Sequence, residues 1–279
     1  MLKQRVILAV VAVVLIVVLY SLPRIVIDND PGAQLVGEEK AAVSAEDESN
    51  PDEAGDVHAF EISASDQEKL SGLREKFIGS VEDEKLLVAD SMANIYLEYN
   101  KYDSAARYLD YIAGNDPSIE NYQRAADAYY ESFSFAMDRE KAAIQGEKAR
   151  QHYQRILDEQ PDRLDLRNKI AMTYISSASP MQGLTMLSQI LEEDPDNETA
   201  IYNLGTLAIQ SGQFDRARDY FEQLVELNPK NLQAQFYLGL SYFQLNDKDK
   251  ARKQFELVKS MEDDPAVLST VEGYLQELN

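Results

Sequence analysis

The sequence predicts an all-α fold, a solenoid of about five helix hairpins, and two regularities of the chain support this. Prolines recur near the ends of similar segments, and two successive steps between them are 34 residues long, a period typical of stacked two-helix units. Small and aromatic residues repeat at the same interval. The prolines are Pro117, Pro161, Pro195, Pro229 and Pro265, and the repeated pairs are Gly205 and Gly239, Ala217 and Ala251, Phe221 and Phe255.

The repeated residue types suit two antiparallel helices that cross closely within each unit. Alanine or glycine at both crossing points lets the backbones approach, and a phenylalanine or leucine fills the space beside them. A proline after each second helix cannot continue that helix, so the next unit begins in a turn. The small crossing residues are Ala93, Ala171, Gly205 and Gly239 in the first helices and Ala105, Gly183, Ala217 and Ala251 in the second.

On these residues, roughly positions 86–265 resemble the tetratricopeptide repeat family. The resemblance implies a right-handed solenoid with repeats near 86–119, 120–163, 164–197, 198–231 and 232–265, flanked by capping helices. The second repeat is ten residues longer than one period. We expect its extra residues, around 135–145, either to lengthen both helices or to form a protruding loop.

Helices are also expected at both ends of the repeats. Ser65 and Glu68 have the spacing of a capping box, which predicts that order begins at residue 65 with a helix over the first repeat. An apolar face within residues 266–279 predicts a carboxyl-terminal capping helix. The solenoid is therefore expected to span residues 65–265.

The amino-terminal residues predict a membrane anchor. Residues 6–22 are an uncharged apolar run that would be about 26 Å long as a helix, near the lower limit for crossing a bilayer. No small-x-small site follows, which favours a retained anchor over a cleaved signal peptide. Lys3 and Arg5 precede the run, so the positive-inside rule predicts a cytoplasmic stub of residues 1–5 and an extracytoplasmic, in bacteria periplasmic, remainder.

Residues 23–64 are expected to be an acidic, disordered linker. This segment contains eleven acidic residues but only two basic ones, Arg24 and Lys40, and it has few apolar residues to bury. The whole chain carries a net charge of −22, which argues against nucleic acid as a partner and favours basic protein partners. The chain has no cysteine, so disulfides and thiolate metal sites are excluded.

Enzymatic chemistry has no positive signal in the sequence. His58 and His152 are the only histidines, and neither has a second histidine at ligand spacing. For His152 we favour a structural role. Phosphate-binding loops and nucleophile elbows are also missing. We therefore expect no catalytic residues, no cofactor and no metal.

The repeat register instead predicts a peptide-binding groove. The resemblance implies that the second, fifth, ninth and twelfth positions of each first helix face the concave side, and the last three of these can be read off in every repeat. These positions grade from polar at the amino end to apolar and aromatic at the carboxyl end, and they contain no lysine. The apolar positions could bind a peptide, or they could pack on the neighbouring repeat or the terminal helix. The candidate groove residues are Asn94, Asp127, Tyr130, Asn168, Met172, Tyr202, Thr206, Ile209, Phe236, Leu240 and Phe243.

These features together favour a membrane-anchored scaffold or adaptor that binds a protein or peptide in the periplasm. The chain is similar in repeat and topology to membrane-anchored bacterial tetratricopeptide proteins that assist secretion, envelope assembly or cytochrome maturation. Two alternatives stay open at this point. One is a structural protein that forms a homo-oligomer, and the other is a chaperone-like holdase that binds unfolded segments.

Overall fold

A computed structural model describes residues 60–278, and the secondary structure of these residues is entirely helical. Twelve α-helices follow one another, joined by connections of a few residues. They are α1 (Ala64–Gly79), α2 (Glu82–Glu98), α3 (Tyr102–Asn115), α4 (Ile119–Phe135), α5 (Arg139–Glu159), α6 (Leu164–Ile175), α7 (Pro180–Glu193), α8 (Glu198–Gln210), α9 (Phe214–Leu227), α10 (Leu232–Gln244), α11 (Lys248–Met261) and α12 (Pro265–Glu277).

The helices pair as five successive hairpins with one additional helix at each end. The hairpins are α2–α3, α4–α5, α6–α7, α8–α9 and α10–α11, while α1 packs on α2 and α12 packs on α11. The first helices of the last four hairpins also contact one another in order, α4 with α6, α6 with α8 and α8 with α10. One face of the array is therefore built from first helices.

Close helix crossings hold each hairpin together, as the small residues predict. Ala171, Ala217 and Ala251 are fully buried, and so are the aromatic residues Phe221 and Phe255 beside them. A methyl group added at Gly205 would lie 2.8 Å from the Phe221 ring, and one at Gly239 would lie 3.0 Å from the Phe255 ring. Glycine is therefore needed at both crossings because the aromatic ring occupies the space of a side chain.

The ten extra residues of the second repeat extend both of its helices. Helix α4 has 17 residues and α5 has 21, whereas the helices from α6 to α11 have 12 to 14. Only Ala136, Met137 and Asp138 separate α4 from α5, and the Asp138 side chain accepts the Lys141 N–H to cap α5. A long protruding loop, the other outcome considered, is not formed.

The beginning of the ordered domain differs from the expectation in two respects. The cap of α1 is Ser63, whose side chain accepts the Asp66 N–H at 3.2 Å, so Ser65 and Glu68 lie inside the helix and do not form a capping box. Ile62 is buried, and the Phe60 N–H donates to the Tyr99 carbonyl at 3.0 Å. The predicted linker boundary at residue 64 is therefore several residues too late, because Ile62 contributes to the first core.

The predicted anchor, residues 6–22, lies outside the described residues, as do residues 1–5 and 23–59. Among residues 60–278, no helix has both the length and the apolar character needed to cross a bilayer. At the opposite end, α12 begins at Pro265, with the Asp264 side chain accepting the Ala266 N–H at 2.7 Å.

Candidate functional site

The predicted groove residues all lie on first helices, distributed over the five hairpins. Asn94 is on α2, Asp127 and Tyr130 are on α4, and the others follow on α6, α8 and α10. Asn94 is exposed and Asn168 is buried, whereas the other nine are half-buried. These eleven residues form a row along the first helices. Their contacts divide this row into a polar amino end, a partly open middle and a covered carboxyl end.

At the amino end of the groove, ion pairs connect the first helices of successive repeats. Arg124 on α4 donates to the Asp90 carboxylate on α2, and its second contact is the Asn94 Oδ1 atom at 3.4 Å. Asn94 in turn donates to Asp90 at 3.1 Å. Asp90 and Arg124 are 34 residues apart, so this pair joins neighbouring repeats across one period.

The next ion pair along the groove is part of a hydrogen-bonded cluster around the Asp127 carboxylate. Lys169 Nζ on α6 donates to Asp127 Oδ1 at 2.6 Å, the Tyr153 hydroxyl donates to the same oxygen at 2.7 Å, and Gln123 donates to Oδ2 at 2.8 Å. The Lys169 ammonium also lies over the Tyr130 and Tyr153 rings, at 5.3 and 5.5 Å from their centres. Burial and the nearby Asp127 charge raise the pKa of Tyr153, so its hydroxyl remains a donor.

The groove positions of the register contain no lysine, but two basic side chains lie directly after them in the sequence. Lys169 follows the predicted position Asn168 by one residue, and Arg124 likewise follows Gln123. Both side chains reach back to an acidic residue of the preceding repeat, and neither belongs to the groove positions of the register. The 34-residue separation of Asp90 and Arg124 is a signal that would have identified Arg124, whereas Asp127 and Lys169 are 42 residues apart and show no such period.

Asn168 belongs to a junction between repeats and is not accessible in the groove. Its side chain is 2% exposed, and Nδ2 donates to the Leu164 carbonyl at 3.0 Å and to Asn197 Oδ1 at 3.1 Å. Asn197 is the cap of α8 and also accepts the Ala200 N–H. Asn168 therefore stabilises the start of the next repeat, which explains an asparagine at this position without a ligand.

The middle of the row is apolar and only partly covered. Met172, Tyr202 and Ile209 are half-buried against the repeat core, and Thr206 between them directs its hydroxyl to the Asn203 carbonyl at 2.9 Å. The Tyr202 ring packs edge-on against Tyr237, and burial with this second tyrosine raises the pKa of Tyr202 to about 12. At neutral pH the middle of the groove is therefore an uncharged surface.

The carboxyl end is covered by the terminal helix α12. Tyr274 on α12 contacts Phe243 edge-on at 5.2 Å between ring centres and Phe236 at 6.1 Å, and it stacks on Phe255 at 5.0 Å. Phe236 and Phe243 therefore pack on the chain's own cap. Leu240, between them on α10, is half-buried.

The single histidine among the described residues, His152, forms part of a polar cluster between α3 and α5. His152 Nε2 lies 2.8 Å from Asp110 Oδ1, and the Asp110 Oδ2 atom accepts the Tyr129 hydroxyl at 2.9 Å and Lys148 Nζ at 3.3 Å. The imidazole stacks on the Tyr129 ring. Residues 60–278 contain no group of three His, Cys, Asp or Glu side chains suited to hold a metal ion.

One family model and several solved structures are similar to parts of this chain. The tetratricopeptide repeat family model matches residues 202–265. No curated protein matches the chain. Among solved structures, the chain is similar to YrrB, described as a TPR protein with an unusual peptide-binding site, at 18% identity over 71% of this chain and 97% of YrrB, with a TM-score of 0.45. It is also similar to MamA of Desulfovibrio magneticus RS-1, at 16% identity over 63% of this chain and 94% of that one, with a TM-score of 0.48.

Proposed function

Residues 202–265 of this chain are tetratricopeptide repeats, and from that premise we propose that the protein is a scaffold that binds a segment of another protein along its row of first helices. The bound segment lies over the uncharged middle of the row. The observation that carries this proposal is the partial exposure of Met172, Tyr202 and Ile209 between two regions already occupied by internal contacts.

The internal contacts limit where a ligand gains binding energy. Phe236 and Phe243 already bury part of their rings against Tyr274, so a ligand there would have to displace α12. Asp127 and Lys169 already neutralise each other, and separating them would lose their mutual attraction, about 1 kcal/mol for a pair this exposed. The apolar middle has no such competitor, and aromatic and aliphatic side chains are the usual anchors of a peptide interface.

The polar end contributes orientation to the proposed complex. Lys169 uses one of its three N–H donors on Asp127, and its side chain is about a third exposed. A ligand carbonyl or carboxylate next to the apolar middle would add to this pair without breaking it. The acidic surface of the chain favours basic regions elsewhere on the partner, mainly by increasing the association rate.

A second part of the proposal concerns where the protein is located in the cell. We propose that residues 6–22 anchor the chain in the cytoplasmic membrane and that the acidic segment before residue 60 holds the repeats on the extracytoplasmic side. The support is the apolar run, which Lys3 and Arg5 precede, whereas the segment after it contains Arg24 and Lys40 among eleven acidic residues. An alkaline phosphatase fused after Asn279 is expected to be active in a bacterial host, and activity only of a cytoplasmic reporter at that site would refute this topology.

Site-specific photocrosslinking in the intact chain tests the binding proposal. A photoreactive residue at position 206 is expected to yield a discrete adduct with a partner, and Ile209→Glu is expected to reduce that adduct strongly, since a carboxylate in the apolar middle must be desolvated on binding. The control is the same probe at position 253, an exposed residue of the second helix α11. Equal adducts from positions 206 and 253, or an adduct unchanged by Ile209→Glu, would contradict a ligand in the middle of the row.

A further inference from the structure

A second concave site lies on the opposite side of the repeats from the groove. It is a cleft of about 480 Å³ with α6 as its floor and the second helices α5 and α7 as its walls. Ile170 and Tyr174 contribute the floor, and Met186 lines the α7 wall. The volume falls within the range of sites that hold small ligands or a few residues of a peptide.

Two of the four charged residues that line the cleft, Arg150 and Glu147, form an ion pair, and Asp158 accepts a hydrogen bond from a neutral amide. Arg150 donates to the Glu147 carboxylate through Nε and Nη2, and its guanidinium lies over the Tyr174 ring at 4.5 Å. The Arg150 hydrogen bond also lowers the pKa of Glu147. Gln154 donates to Asp158 at 3.0 Å. The two carboxylates of the cleft therefore have donors, and Arg150 is held in place by its ring contact and its ion pair.

Arg155 is the cation of the cleft that stays available for a ligand. Its side chain is exposed on the α5 wall, one turn after Gln151, and no ion pair or hydrogen bond joins it to another residue within 60–278. A guanidinium offers a planar fork of N–H donors that matches a carboxylate in two parallel hydrogen bonds. The cleft thus presents one cation that lacks a described partner next to an apolar floor.

The remaining walls suit a peptide backbone. Gln151 on α5 and Gln182 on α7 line opposite sides of the cleft. Gln151 Nε2 donates to Glu147 Oε1 at 3.2 Å, which leaves its second N–H and its carbonyl oxygen for a peptide backbone. Met186 provides a flexible, polarisable surface that adapts to the shape of an apolar side chain. Amide walls, an apolar floor and a single available cation together define one class of ligand.

We propose that this cleft binds an extended segment of a partner protein that carries an apolar side chain followed closely by an aspartate or glutamate. The apolar side chain packs on Met186 beside the Tyr174 ring, whose face Arg150 covers, and the carboxylate pairs with Arg155. This site is independent of the groove on the first helices, so one molecule of the protein would hold two segments at once, on opposite faces of the same repeats.

Fluorescence anisotropy with synthetic peptides tests the proposal on the full-length chain in mild detergent. The probe is a fluorescein-labelled glycine–serine peptide with one leucine and one aspartate two residues apart, and the comparison peptide has lysine in place of the aspartate. The wild type is expected to bind the aspartate peptide about tenfold more tightly than the lysine peptide, a difference typical of one charge-assisted contact. Arg155→Glu is expected to reverse this preference.

The matched control is Arg216→Glu, which makes the same charge change at another exposed arginine, on the second helix α9. It is expected to leave both affinities unchanged. Equal affinity of the wild type for the two peptides, no binding of the aspartate peptide at millimolar concentration, or equal effects of the two variants would overturn the proposal. A lower sedimentation mass of Arg155→Glu than of the wild type would also overturn it, because the cleft would then seat a second copy of the chain.

Discussion

Replacing Gly183 by alanine tests the close approach of α6 and α7 in the third repeat. The equivalent positions of the first, fourth and fifth repeats are Ala105, Ala217 and Ala251, so alanine is the residue that the repeat pattern itself prefers. In the third repeat, however, an alanine Cβ would lie 2.3 Å from the carbonyl oxygen of Ala171. The structure therefore predicts that a substitution toward the pattern destabilises the protein.

The magnitude follows from two opposing terms. Alanine in place of glycine in a helix gains about 1 kcal/mol. Overpacking a close helix crossing costs about 1–3 kcal/mol, and the upper end applies here because a backbone carbonyl cannot rotate away as a side chain can. The expected net loss is about 2 kcal/mol of unfolding free energy, or a fall of about 4–8 °C in Tm for a domain of this size.

Circular dichroism at 222 nm during thermal and urea unfolding measures this change. Gly72→Ala is the control, since Gly72 also lies within a helix, α1, and an added Cβ there would have no atom within 4 Å. Its Tm is expected to stay the same or to rise. A Gly183→Ala variant as stable as the wild type, next to a well-behaved Gly72→Ala, would refute the close approach.

Three further predictions concern polar and aromatic contacts. Burial disfavours the Asp110 carboxylate, but the hydrogen bonds from His152, Lys148 and Tyr129 lower its pKa to about 2. The contribution of Asp110 to stability is therefore complete above its ordinary pKa of 3.8 and is lost as the pH falls through about 2. Asp110→Asn should accordingly flatten the decrease in unfolding free energy at acidic pH. A double-mutant cycle of Lys169→Met with Asp127→Asn should give a coupling of about 1 kcal/mol in urea unfolding, and a value near zero would mean that solvent screens the pair. Tyr274→Ala should accelerate amide hydrogen exchange in α12 while α9 keeps its protection. Equal exchange rates of α12 in the wild type and in Tyr274→Ala would show that the Tyr274 ring does not hold this capping helix in place.

The hairpin order could be predicted from the sequence because it depends on residues that repeat. Gly205 packs against Phe221 within the fourth repeat, and Gly239 and Phe255 have the same 16-residue spacing in the fifth. The start of α1 could not be assigned in this way. Ser63 and Ser65 both have an acidic residue three positions later, and the choice between them depends on the burial of Ile62 in the first core.

The contents of the groove were only partly predictable because they depend on contacts between repeats. Lys169 reaches back to Asp127 over a distance set by the extra length of α4 and α5, which no uniform period describes. Asn168 occupies a groove position in the register, yet it turns toward the cap of the next repeat. The register assigns a residue to a helix face, whereas the neighbouring repeat decides whether that residue is exposed.

The gradient from polar to apolar residues along the first helices therefore has a structural origin at both ends. At the amino end the charges are paired with one another across repeats, and at the carboxyl end the rings of Phe236 and Phe243 are packed on Tyr274. Both ends have internal partners that a ligand would have to displace at a cost in free energy. A ligand that gains the most from burial and displaces the least binds between them, next to Tyr202 and Ile209, and its affinity should respond to substitutions there more than to substitutions at the aromatic carboxyl end.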